Sequence, residues 1–426
     1  MIFRNSFFLI FLVAAFFANA ADSNNTVWFD GAFHQKNVIQ VKFHDDSAMQ
    51  AKAGKLVVNN KNKQHQSLIN ALNASQTWHP AFSKDVSTLN QWRNKAKNKA
   101  AKNNAKQSFA DLTQYFYMQT NKGVDTAKAL AQLRQSPLVE GAYPVAKPVA
   151  PPLPPDYTDS STPGYQRYVR AAPDGIDVDY ATQGVGGKGA GIDICDVEYG
   201  FNNHIDLLSI TKINEPYAFF NDSYYDHGTA VLGMLKSANN LWGTTGMVVE
   251  ANVYFSPVAT TNIVPIVNIQ DAIADCMSQI NTGGIILIEQ QMSGRNGNYV
   301  PVEWDPAIYA IIQTASVMGY VVVEAAGNGG ENLDHVFYQT AQPGHTPFTA
   351  GNDSGAILVG AGASSWKVAS RSRLGFSTYG NTVDLQGWGQ DIVTTGYGNF
   401  YDDDGDLFNY TLFSGTSGAS PMVTAA

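Results

Sequence analysis

The chain has 426 residues, 44% of them hydrophobic, which is too long for one ordinary core and too apolar for global disorder. Its two cysteines exclude a disulfide framework, and they read either as two buried thiols or as one bridge. The net charge of −9 hides an asymmetry: residues 22–150 carry 17 Lys+Arg against 8 Asp+Glu, and residues 151–426 carry 9 against 28. A basic part before an acidic part suits a nucleic-acid arm or two pieces that dock by complementary charge.

The first twenty residues, "MIFRNSFFLIFLVAAFFANA", hold one positive charge, an apolar run of about a dozen residues and a small-residue end at Ala18-Asn19-Ala20. They read as a signal peptide (1–20) cut before Ala21. The run is shorter than the ~20 residues of a spanning helix, and no later run is long enough. The expectation is an exported, secreted or extracytoplasmic protein with no membrane association after signal removal. That destination disfavours nucleic acid as a partner.

Residues 21–146 read as a small α+β domain. Asn37–His44 alternates in part like a half-buried strand, and Leu112–Thr120 reads as another. Gly123–Val145 reads as helix, turn and strand, with Asp125 able to cap the helix. The lysine- and asparagine-rich stretch from Trp92 to Gln107 reads as a solvated helix or loop. A linker over 147–172 follows, because five prolines between Pro148 and Pro155 allow neither helix nor central strand.

From residue 173 to 426 the grammar is α/β. Gly189–Val197, "EANVYFSPVA", "GGIILIEQQ", "GYVVVEAAGN" and "GAILVGAGA" are apolar strands, and Val267–Ile280 and Asp305–Gly319 read as helices between them. Strands apolar on both faces and alternating with helices predict a parallel sheet flanked by helices. Ligands in such folds sit at the carboxyl ends of the strands.

Three polar residues fall at strand ends or helix starts. Asp196 closes the first strand. His227 stands in "DHGTAVLGML", with the helix expected from Thr229. Ser417 stands in "SGTSGASP", where the helix is expected to begin, with Pro421 in its first turn. A serine hydroxyl needs a base to take its proton, and the base needs a carboxylate to hold its tautomer. Asp196, His227 and Ser417 supply these roles. Asn328 in "AAGNGG" follows a buried strand and can donate to a developing oxyanion together with the Ser417 amide.

These residues carry a family resemblance. From about Gly186 to Ala426 the chain resembles the subtilisin-like serine proteases: "ICDVEYGFNNHIDL" is similar to the family's Asp motif, "HGTAVLG" to its His motif, "AAGNGG" to its oxyanion motif and "GTSGASP" to its nucleophile motif, in the family's order. The resemblance implies a subtilisin-like fold and a serine endopeptidase acting on protein or peptide substrates with no cofactor required. It also implies that the region Asn37–Val145 is a propeptide that folds and plugs the enzyme as an intramolecular inhibitor, and that more chain follows Ala426, the catalytic domain being C-terminally incomplete as written.

Departures stand beside it. The family has Ser or Thr and then Gly after the triad Asp, whereas Val197-Glu198 follow here, and Glu198 adds a negative charge near the base. Gly418 replaces the methionine often seen after the nucleophile. The substrate wall "QQMSGRNG" differs from the common pattern, with Met292, Ser293 and Gly294 as the expected edge for an extended peptide. These departures keep an exported, non-catalytic binding protein with the protease fold as the alternative.

"YDDDGD" offers Asp402, Asp404 and Asp406 as a structural Ca²⁺ candidate without the spacing of a known loop, and a solvated turn is the plainer reading. No zinc is expected from His335 and His345, and His204 and Asp206 read as loop-fixing residues. Asn24, Asn73, Asn221, Asn352 and Asn409 head N-x-Ser/Thr triplets.

Overall fold

The computed structural model describes residues 29–58, 63–74, 76–102, 108–147, 166–217, 222–239, 243–259, 267–365, 367, 369–402 and 409–426. The signal segment and residues 148–165 of the linker lie outside them. The chain divides into two compact units, Met1–Lys147 and Pro148–Ala426.

The smaller unit is built on strands β1 (His34–Phe43), β2 (Met49–Lys52), β3 (Lys55–Val58), β4 (Gln76–Pro80), β5 (Tyr115–Thr120) and β6 (Val139–Ala146), with helices α1 (Lys63–Asn73), α2 (Val86–Lys102) and α3 (Thr126–Arg134). Four strands form an antiparallel sheet in the order β4-β5-β1-β6. One face buries Ile39, Val41, Phe43, Trp78, Phe116 and Met118 against Leu130 and Leu133 of α3. Asp125 caps α3 by accepting from Lys128 N.

Two expectations shift. Leu112–Gln114 form a 3₁₀ turn rather than strand, because Asp111 accepts from Thr113 N and curls the backbone there. The lysine-rich stretch is helical as far as Lys102, since Leu89, Trp92, Ala96 and Ala100 give it a buried stripe.

The larger unit carries β7 (Asp193–Glu198), β8 (Thr211–Lys212), β9 (Asn252–Pro257), β10 (Ile285–Ile288), β11 (Gln291–Ser293), β12 (Tyr299–Pro301), β13 (Val321–Ala325), β14 (Ala356–Gly362), β15 (Leu385–Trp388), β16 (Ile392–Thr395) and β17 (Tyr410–Phe413). Its main helices are α4 (Asp222–Lys236), α5 (Ile269–Gln279), α6 (Pro306–Met318) and α7 (Thr416–Ala425). Seven strands form one sheet in the order β15-β14-β13-β10-β7-β9-β8, and every pairing is parallel.

Side chains alternate along each strand and sort the helices to the two faces. Ile194, Leu287, Val323 and Val359 pack with Ala230, Val231 and Leu235 of α4 and with Ala419 and Met422 of α7. Cys195 points the other way, toward α5, and forms a disulfide with Cys276. That bridge resolves the two readings of the cysteines. Residues 166–172 belong to this unit rather than to a linker: Tyr168 is fully buried and its hydroxyl donates to Val393 O at 3.1 Å.

The chain runs from β7 to β9 on one side and then to β10 on the other. The strand order therefore reverses at β7, and the crevice at the carboxyl ends of β7 and β10 is the position where this architecture binds ligands.

Candidate active site

Asp196 and Glu198 lie on the same face of β7, two residues apart, and both are fully buried. Only Glu198, at the end of the strand, meets His227. Its Oε2 makes a short hydrogen bond with His227 Nδ1, and its Oε1 accepts from Tyr199 N at 2.9 Å and Gln290 Nε2 at 3.1 Å. Neither carboxyl oxygen of Asp196 has a hydrogen-bond partner. Burial, and then the charge of Glu198, push the Asp196 carboxyl well above the usual carboxylate range. The expectation that Asp196 orients the imidazole is corrected: Glu198 reaches it.

A signal for this lay in the sequence. The glycine sought two residues after the acid is Gly200, two after Glu198. A Cβ at Gly228 would stand 2.1 Å from Gly200 O, so α4 approaches the loop behind Glu198 as closely as two glycines allow.

His227 lies inside α4, not before it as expected, because the helix already starts at Asp222. Its ring is fully buried, with its centroid 5.5 Å from that of Phe413 and 6.5 Å from that of Tyr199. A carboxylate acceptor at Nδ1 places the ring hydrogen there and leaves the Nε2 lone pair free. Nε2 has no hydrogen-bond partner in this structure, so it is not bonded to Ser417.

Ser417 is the second residue of α7 and is 4% exposed. Gly415, at φ 97°, makes the turn into the helix, and a Cβ there would sit 3.3 Å from Asn328 Nδ2. Pro421 falls in the second turn rather than the first. Its missing N–H leaves the Ser417 carbonyl without its helical donor. A Cβ at Gly418 would meet Ile392 Cδ1 at 2.5 Å, so a larger residue there requires the Ile392 side chain to shift.

Asn328 follows β13, the neighbour of β10. Its Oδ1 accepts from Thr416 N at 2.8 Å and lies 3.2 Å from Thr416 Oγ1, and its backbone N–H donates to Gln291 Oε1 at 2.8 Å. A backbone N–H can only donate, so Oδ1 faces Thr416 and Nδ2 becomes the outward donor beside the start of α7.

Met292 and Ser293 are buried in the hairpin β11–β12, paired with Val300 and Tyr299, and Gly294 N donates to Asn298 O at 2.7 Å. Sequence reasoning also missed Glu289. This acid directly after β10 is fully buried beside α7, and it accepts from Ser420 Oγ at 2.7 Å. Asp404 and Asp406 lie outside the described residues, and no cluster of three or more potential metal ligands occurs among the described residues. His345 is buried, its Nε2 facing the carbonyls of Glu303 and Trp304.

A parallel α/β sheet whose strand ends gather a carboxylate–imidazole pair, a side-chain amide and a serine at a helix start defines a class, the serine hydrolases of α/β architecture. Comparison with known proteins narrows it, and the chain belongs to the subtilase family (Peptidase_S8), which matches residues 189–426. It is similar to a thermostable alkaline protease of Halalkalibacterium halodurans, at 25% identity over 246 residues, covering 57% of this chain and 56% of that protein. The chain thus spans about half the length of this relative. Among solved structures, it is similar to fervidolysin from Fervidobacterium pennivorans, described as a keratinolytic enzyme related to subtilisin (14% identity, TM-score 0.52, 93% of this chain and 55% of that one). It is also similar to a protease from Pseudoalteromonas arctica (20% identity, TM-score 0.43, 61% of this chain and 82% of that one).

Proposed function

We propose that the protein is an exported serine endopeptidase made as an inactive precursor, in which Glu198, His227 and Ser417 form the triad. Ser417 Oγ attacks the peptide carbonyl carbon and passes its proton to His227 Nε2. Glu198 holds the Nδ1 hydrogen and stabilises the imidazolium that forms. The oxyanion accepts from Asn328 Nδ2 and from the Ser417 N–H at the start of α7. The tetrahedral species collapses as His227 protonates the leaving amine. Water then hydrolyses the acyl-enzyme, with His227 as base again. Met292–Gly294 offer the edge along which an extended substrate lies.

The observation that carries this reading is the hydrogen bond between Glu198 and His227 at the reversal point of the sheet. Export rests on residues 1–20, and among the described residues no helix is long and apolar enough to cross a membrane. The precursor reading rests on the basic unit preceding the acidic one.

A non-catalytic binding protein is the second reading, favoured by the absence of a hydrogen bond from Ser417 to His227 Nε2. Bonds of this kind commonly tighten only when substrate is bound. Labelling by a fluorophosphonate separates the two readings, because only an activated serine reacts. Labelling that Ser417→Ala and His227→Ala abolish is expected, and an unlabelled wild-type protein refutes the peptidase. Ser417→Ala is also expected to accumulate uncut precursor, whereas normal maturation of that variant refutes self-processing.

A further inference from the structure

Three carboxyl groups, Asp196, Glu198 and Glu289, project from the ends of two adjacent strands toward the same face, and all three are fully buried. Glu198 is matched by an imidazole and two N–H donors. Asp196 has no partner, and Glu289 has one on a single oxygen, since its Oε2 is unpaired. The donor to that oxygen is Ser420 on α7, one helical turn from Ser417, whose own hydroxyl also faces Glu289, and Ser420 Oγ also lies 2.9 Å from Thr416 O. Glu289 thus holds the start of the helix that bears Ser417 through Ser420, and Asn328 holds it through Thr416 N.

We propose that Glu289 is a positioning residue for the nucleophile: through Ser420 it sets where Ser417 stands relative to His227. This rests on the peptidase reading above. The groups that face Glu289 determine its state. From β7 come Asp196 and Glu198, both acids, and from α7 come the hydroxyls of Ser420 and Ser417. From α4 comes His227, already bound to Glu198. Glu324 of β13 points to the opposite face, where it accepts from Glu303 N. No cation of the described residues therefore pairs with Glu289. Burial and the charges of Asp196 and Glu198 hold its carboxyl well above the usual range, against the pull of the two hydroxyls. Glu289 acts as a neutral acid, and its ionisation at alkaline pH would put a second anion under the nucleophile.

The test compares Glu289→Gln, Glu289→Ala and Ser420→Ala with the wild type in the matured protein, measuring kcat and KM on a peptide substrate across pH, with fluorophosphonate labelling alongside. Glu289→Ala is expected to lower kcat by about 10- to 100-fold with KM nearly unchanged, the scale of a misplaced reacting atom. Glu289→Gln, which keeps an uncharged hydrogen-bonding group, is expected to restore kcat at neutral pH and to extend activity to more alkaline pH. Ser420→Ala is expected to fall between them. Wild-type kcat in Glu289→Ala overturns the proposal, as does a Gln variant impaired like Ala at every pH. If the Ala variant does not fold, the pH profile of the Gln variant decides. A wild type that neither labels nor cleaves refutes the peptidase reading itself, and the role of Glu289 with it.

Discussion

Two groups of buried acids lie on opposite faces of the same sheet. On the face of α4 and α7, Glu198 meets an imidazole and two N–H donors. On the face of α6, Glu303 and Glu324 meet no cation among the described residues. Ser354 Oγ bonds Glu303 Oε2 through a contact of 2.5 Å, Glu303 N donates to Glu324 Oε1 at 3.2 Å, and Glu324 Oε2 is unpaired. Burial raises the Glu303 carboxyl to about 8, against the Ser354 bond, and Glu324 rises well above its usual value through burial and the charge of Glu303. Burial alone makes a carboxyl hold its proton, and only hydrogen-bond donors or a cation supplied by the fold oppose that.

The sharpest way to break this comparison is at Glu198. Glu198→Gln should lower kcat/KM by about 10⁴-fold, because an amide stabilises the wrong tautomer. Asp196→Asn should leave kcat/KM within a few-fold of wild type. The reverse pattern would return the triad to Asp196. Next in size, Asn328→Ala should reduce kcat by about 10²–10³-fold with a small effect on KM, since its Nδ2 acts only on developing charge.

A stability effect of intermediate size is expected at the Cys195–Cys276 bridge, which joins residues 81 positions apart and starts from β7, the strand that ends in Glu198. Replacing both cysteines with alanine should cost about 2–4 kcal/mol in denaturant unfolding. Equal stability with and without reductant would contradict it.

The smallest effect belongs to the Glu303–Glu324 side and sharpens the contrast. The folded-state value of Glu303 lies above its unfolded value near 4.5, so the folded form holds the extra proton. Its contribution is complete below about pH 4.5, declines between there and about 8, and is lost above that. Glu324→Gln removes one acid of the pair and should flatten the fall of Tm on the alkaline side, by about 2–4 °C for each ~1 kcal/mol recovered. An unchanged Tm–pH profile would show that the pair does not control alkaline stability.

Much of the site was legible locally. His227, Ser417 and Asn328 stand beside glycines in the sequence, and the structure sets Asn328 after β13 against the start of α7 while His227 lies within α4. The orienting carboxylate was not legible in the same way. Asp196 and Glu198 share a face and both follow apolar residues, so local pattern offers two acids for one role. Glu289 carried no motif, because an acid closing an apolar run looks alike whether it caps a turn or grips a helix residue 131 positions later. That residues 166–172 pack into the larger unit was obscured by composition, since the prolines before them drew attention from the fully buried Tyr168.

By itself the sequence determined the alternation of apolar strands and helices, and hence the parallel sheet, together with the residues that bear hydroxyl, imidazole and amide at its ends. These follow from short-range periodicity and turn chemistry, which each segment carries alone. Only the tertiary structure decided which carboxylate meets the imidazole, that Cys195 and Cys276 are joined, and that Glu289 faces Ser420. The depth to which a strand end projects into the crevice is set by its neighbours in the sheet. A hydrogen bond depends on that depth to within a fraction of an ångström.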